Sequence, residues 1–292
     1  MNLDAILSDD QRTRDGALAE VATAPEHTRS ALASKLGIVA REAADALAAA
    51  EEADQPAAEH ETRLGRATAA LSRLRVELAR TCLLRIADEG SKRVKASLAD
   101  ALRETRTAEG RAVLVHLLSD DDARGDAILA IGSAPWPEVL PALIEVAEAD
   151  DHAARLGAAP IARCGASGGP KELHAAIDFL LELLDEDAAF EPAIDALLRL
   201  GAALPAIVPR AKRLTKEPGR RKIAGLCLLA AYGDEGNASF LELALSGTKT
   251  DEDAARKFLE PMLDDADERI RAAAERTWRA LDLSRVSGPS RG

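Results

Sequence analysis

Apolar side chains recur along this chain in the three-to-four-residue rhythm of helices rather than the alternation of strands. Val139, Leu140, Leu143, Ile144 and Ala147 fall on one helical stripe. Leu173, Ile177, Leu180, Leu181 and Leu184 form the next, and Leu204, Ile207, Val208, Ala211 and Leu214 a third. Each stripe is followed by a short turn: Asp150-Asp151, Asp185-Glu186-Asp187 and Pro218-Gly219. A second apolar run comes after each turn and ends on glycine. With one earlier run the terminal glycines are Gly132, Gly165, Gly201 and Gly233, spaced by 33, 36 and 32 residues. Glycine just past a helix can adopt the left-handed conformation that closes it, and that role is expected of these four. A single hairpin cannot bury its apolar face, whereas stacked neighbours can. The pattern therefore predicts an all-α chain, an α-solenoid of about six to eight stacked antiparallel helical hairpins without a sheet.

The first 89 residues are less regular. Helices are expected over 9–22 and 25–53, the second interrupted near Gly37. Residues 48–61 are polar, contain Pro56 and read as a loop. From Glu61 to Ala87 one long helix is expected, striped by Leu64, Leu71, Leu74, Leu78, Cys82 and Ile86. It is too short, and its flanking charges too poorly matched, for a coiled coil, so packing on the stack is expected. The organisation that follows is an irregular helical segment over 1–89, a repeat array over 90–282 and a disordered tail over 283–292.

Several second helices open alike. At 91–102, 152–159 and 267–278 an aliphatic residue, a basic residue and spaced alanines recur, led in the last case by Asp264 and Asp265 and carried by Arg269, Ile270, Arg271, Ala273 and Ala274. This resembles the inner helix of HEAT-like repeats, including the phycobilisome-lyase variety, and the resemblance covers roughly residues 90–282. It implies an armadillo-like superhelix whose inner helices line a concave surface, with acid–arginine contacts between repeats. HEAT-like enzymes also exist. Deoxyhypusine hydroxylase uses several His-Glu pairs to hold two irons, and the single pair here, His60-Glu61, cannot supply that set. Bilin lyases and alkylpurine DNA glycosylases resemble this chain at the level of the repeat alone and stand as the alternative to a non-catalytic scaffold.

Composition narrows the choice. Aromatics are only 2% of the chain, which suits helices packed closely through small side chains. Arginine outnumbers lysine, as in a GC-rich bacterial genome. The net charge of −12 disfavours nucleic acid as a partner. The three cysteines, Cys82, Cys164 and Cys227, lie far apart in apolar stretches and read as buried small residues of a cytoplasmic protein. No stretch approaches the roughly 20 apolar residues of a membrane span, so no membrane insertion is expected. There is no HExxH spacing, no phosphate loop and no nucleophile elbow, and neither cofactor, metal nor catalytic residue is expected. Acidic clusters such as Asp120-Asp121-Asp122 sit at turns, where carboxylates cap helix amides.

Two features remain as candidates for binding. Charge is uneven: residues 59–111 carry twelve basic side chains against eight acidic, and residues 205–225 carry seven against one. In the denser block Arg210, Lys212, Arg213 and Lys216 should cover the outer face of a helix, and Arg220, Arg221 and Lys222 the start of the next. Cations there oppose the helix dipole and sharpen an anion site. The block is expected to dock an acidic protein segment or a phosphate-bearing ligand, or else to balance acidic neighbours such as Asp185, Glu186 and Asp187. Trp136, in the loop Ala134-Pro135-Trp136-Pro137, is the other candidate, as a binding anchor or as cover for the core edge. The function expected is a protein-interaction scaffold or adaptor.

Overall fold

The computed structural model describes residues 3–200 and 204–214. Beyond them it describes residues 216, 217, 221, 224, 225, 228, 256, 260–264, 268, 271, 272, 274, 275, 278 and 279. Among the described residues there are thirteen α-helices and no strand. They are α1 (Leu3–Ile6), α2 (Gln11–Thr23), α3 (Glu26–Glu52), α4 (Ala58–Arg73), α5 (Glu77–Glu89), α6 (Lys92–Ala101), α7 (Ala108–Leu118), α8 (Arg124–Ser133), α9 (Leu140–Ala149), α10 (Asp151–Ser167), α11 (Pro170–Glu182), α12 (Phe190–Arg199) and α13 (Leu204–Leu214). The fold is an all-α helical repeat, as the periodicity predicts.

The chain divides into two compact units, Met1–Val146 and Ala147–Gly292. The expected domain boundary at residue 89 falls inside the first. There α3, α5 and α7 pack side by side as one layer, and α2, α4, α6 and α8 as the other. The hairpins α3–α4, α5–α6 and α7–α8 join the layers. Leu36, Leu47, Leu64, Leu71, Leu83, Leu98, Leu114 and Leu117 fill the space between and are almost wholly buried. In the second unit α10 packs on both α11 and α12, around Ile161, Ile177, Leu180, Ile194 and Leu197.

Polar side chains set where helices start. Asp10 accepts from Thr13 N at 2.8 Å, Thr107 from Gly110 N at 3.3 Å, and Asp150 from His152 N at 2.8 Å. Asp120 has two roles. One oxygen accepts from Asp122 N and Ala123 N, and the other binds Lys95 Nζ at 2.5 Å.

Four expectations need correction. First, the long helix over 61–87 is two helices, broken at Leu74–Val76 by Arg75, which turns the chain at φ 53°. Second, α3 runs unbroken through Gly37. A Cβ at that position would lie 2.7 Å from Cys82 Sγ, so glycine there serves close packing of α3 on α5. Third, the described repeat glycines do not cap. Gly132 lies within α8, and Gly165 lies within α10, where a Cβ would collide with Ala176 of α11. Gly165 is thus a spacing device between helices. Gly201 and Gly233 lie outside the described residues. The loop expected over 48–61 is shorter, since α3 continues to Glu52 and α4 begins at Ala58. There Asp54, at φ 50°, closes α3, and Gln55 N reaches back to Ala50 O at 2.8 Å.

Candidate functional site

In the first unit, the layer of α2, α4 and α6 holds a groove of about 1110 Å³. Along it α4 and α6 approach through small residues: a Cβ on Gly65 would stand 3.8 Å from that of Ala101. Its walls are polar. Six arginines line it, Arg14, Arg66, Arg73, Arg93, Arg103 and Arg106, against five carboxylates, Asp15, Glu61, Asp100, Glu104 and Asp126.

Many of these charges are already committed. Arg66 holds Asp9 at 2.6 Å and donates to Leu7 O at 3.1 Å. Arg93 holds Glu61 at 2.7 Å, joining the first turns of α6 and α4. Arg103 pairs with Asp100 at 3.0 Å, and Arg14 donates to Ser8 O at 2.8 Å. Arg73 and Arg106 have no ion pair or side-chain hydrogen bond among the described residues, and the same holds for Asp15, Glu104 and Asp126. The hydroxyls of Thr105 and Thr107 meet at 3.1 Å at the groove's edge, beside Arg106.

The residues singled out from the sequence lie elsewhere. On α13, Ile207, Ala211 and Leu214 are buried while Lys212, Arg213 and Lys216 are exposed, so the expected outer face is present. Arg210 of that face and Arg221 beyond it are tied to acids. Arg210 Nε binds Asp178 of α11 at 2.7 Å. Arg221 forms a fork on Asp185 and takes Glu217 at 3.0 Å. The hydrogen bond from Arg221 holds the Asp185 carboxyl below its ordinary range, and Asp185 and Glu217 together raise Arg221 further. Arg220 and Lys222 lie outside the described residues. Trp136 is only 5% exposed, with the Arg111 guanidinium 5.0 Å over its ring, so it covers the core edge. Trp278 carries Arg256 in the same way at 4.9 Å.

The groove was not singled out from the sequence, although its arginines belong to the other cationic block, residues 59–111, apart from Arg14. The signal was the excess of basic residues there, blurred because acids are interleaved with them and because the lining comes from separate helices.

The other polar features are structural. His116 meets Asp88 at 2.7 Å on the exposed side of α7 and α5. Burial pushes the Cys82 thiol up, away from the reactive thiolate. Among the described residues no group of three or more His, Cys, Asp or Glu is placed to hold a metal, and no helix is long and apolar enough to cross a membrane.

Fold and groove together define a helical-repeat protein with a polar recess. No protein-family model matches the chain, and no curated protein matches it at a significant level. Solved structures do resemble it. Human deoxyhypusine hydroxylase in complex with glycerol is 18% identical, with 88% of this chain and 98% of that chain covered and a TM-score of 0.34. An engineered protein is 16% identical, with 97% and 98% covered and a TM-score of 0.30. Neither likeness supports the expected non-catalytic scaffold, which is withdrawn, and at these TM-scores neither assigns a role. The likeness carries over neither a substrate nor a set of residues.

Proposed function

We propose that the protein is a helical-repeat enzyme of the HEAT-like kind, and that the groove across α2, α4 and α6 receives an extended polar substrate bearing both charges. One observation carries this reading. The groove brings uncommitted guanidinium groups, uncommitted carboxylates and hydroxyls into a single recess large enough for a small molecule or a peptide segment. Guanidinium groups stabilise negative charge that develops in a reaction, and carboxylates transfer protons. Six cations against five anions select a ligand of mixed charge over a polyanion.

The lining also weighs against two narrower HEAT-like activities. A bilin or an alkylated base offers a broad aromatic face that is best held by stacking. Among the described residues no aromatic side chain lines the groove. Arginines cover the ring faces of Trp136 and Trp278.

The test is a thermal-shift screen of charged metabolites and mixed-charge peptides, followed by mass spectrometry of the stabilising compounds for turnover. Glu104→Gln and Arg73→Ala should each lower turnover of a substrate found this way. Turnover that survives both changes, or stabilising compounds that never change mass, would count against the proposal.

A further inference from the structure

We infer that the end of this groove where α4 and α6 finish is a phosphate subsite, an assignment that rests on the groove being the functional recess. The pair Arg93–Glu61 joins the first turns of α6 and α4, so the two helices run the same way; the last residue of α6, Ala101, lies beside Gly65 midway along α4, and the turn after it follows the second half of α4 towards Arg73. Arg73 is the last residue of α4. Arg103, Thr105, Arg106 and Thr107 follow the last residue of α6, and all five line the groove.

The division of labour among the arginines sets this end apart. Arg14, Arg66 and Arg93 are held by Ser8 O, Asp9 and Glu61. Arg73 and Arg106 are exposed and without a partner among the described residues. The turn also leads into α7, whose first amides carry partial positive charge. Thr107 Oγ1 caps Gly110 N, and the Thr105 hydroxyl lies against Gly110 and Thr107, so the two threonines fix the turn that carries Arg106.

Two planar guanidinium forks supply more donors than a carboxylate's two oxygens can use, and they suit the several acceptors of a phosphate group. Glu104 sits in the same turn and lowers the local charge. Selectivity here therefore comes from directed hydrogen bonds rather than from the field alone.

The experiment maps inorganic phosphate onto the full chain by amide chemical shifts in solution. Millimolar phosphate should move residues 103–108 and Arg73, and added salt should weaken the effect. Arg73→Gln combined with Arg106→Gln should weaken binding by at least about tenfold. Arg12→Gln, an exposed arginine of α2 outside the groove, should leave it unchanged. Absence of shifts, or shifts that persist in the double variant, would overturn the subsite. Acetate acting as strongly as phosphate would overturn the phosphate assignment. Shifts confined to Arg14, Arg66 and Arg93 would overturn the subsite and leave the groove standing. Phosphate bound at the expected residues while no screened substrate turns over would support the subsite and defeat the enzyme reading.

Discussion

The two cationic blocks of this chain differ in the surface that holds their charges. Residues 205–225 are the denser block in the sequence, yet Arg210 and Arg221 are tied to Asp178, Asp185 and Glu217. Residues 59–111 are sparser and mixed with acids, yet they leave Arg73 and Arg106 uncommitted in a recess. Charge density along a chain thus does not mark a site. What matters is which charges the fold leaves without partners, and on what shape of surface.

The sharpest way to break that comparison is charge reversal in both blocks. Arg73→Glu with Arg106→Glu should weaken binding of the groove's ligand by about 100-fold, or about 2.8 kcal/mol. Arg210→Glu should leave that affinity alone. Equal losses, read by titration calorimetry, would remove the distinction drawn here.

A smaller effect is expected at Lys95, within the first block, which is only 13% exposed against Asp120. Lys95→Met should cost about 1 kcal/mol in denaturant unfolding at neutral pH. The hydrogen bond from Lys95 holds Asp120 below its ordinary value of 3.8. A depressed carboxyl stabilises the fold at pH values above its unfolded pKa, and that contribution disappears as pH falls through the folded pKa. The difference between wild type and Lys95→Met should therefore be constant near neutrality and shrink in the acid range below about pH 4. A gap unchanged down to full protonation would show that the pair is not its source.

Arg221→Ala tests whether the second block's pairs are structural. They are partly exposed, so the loss should stay at about 1 kcal/mol or below and shrink as salt is added. A loss of several kcal/mol would give this turn a larger role than its exposure allows. The smallest effect is expected at Arg75, whose φ of 53° is costly for a residue with a Cβ. Arg75→Gly should stabilise the fold by about 0.5 kcal/mol, and a loss in thermal unfolding would contradict the strain.

The helices were legible because burial on one face imposes its own spacing. Ile177, Leu180 and Leu184 on the α11 side, and Ile207, Ala211 and Leu214 on α13, are buried as their spacing predicts. The break between α4 and α5 was not legible. Arg73-Leu74-Arg75-Val76 contains no glycine, proline or asparagine, and the left-handed residue is an arginine. Gly165 was noticed for its period and misjudged in its role, since a glycine that caps and one that admits a neighbouring helix look alike in one dimension. The groove lay hidden for a related reason. Arg14, Arg73 and Arg106 come from three separate stretches, and only the packing of α2, α4 and α6 brings them to one recess.

The arginine-capped tryptophans have a practical consequence. The chain contains only two tryptophans, and Trp136 and Trp278 fall one in each compact unit, each beneath a guanidinium. Replacing either with phenylalanine leaves a single indole whose emission reports on the unit that holds it. The two units then have separate optical labels, with no dye attached, and red-edge spectra recorded through a denaturant series reveal whether they melt together or in sequence.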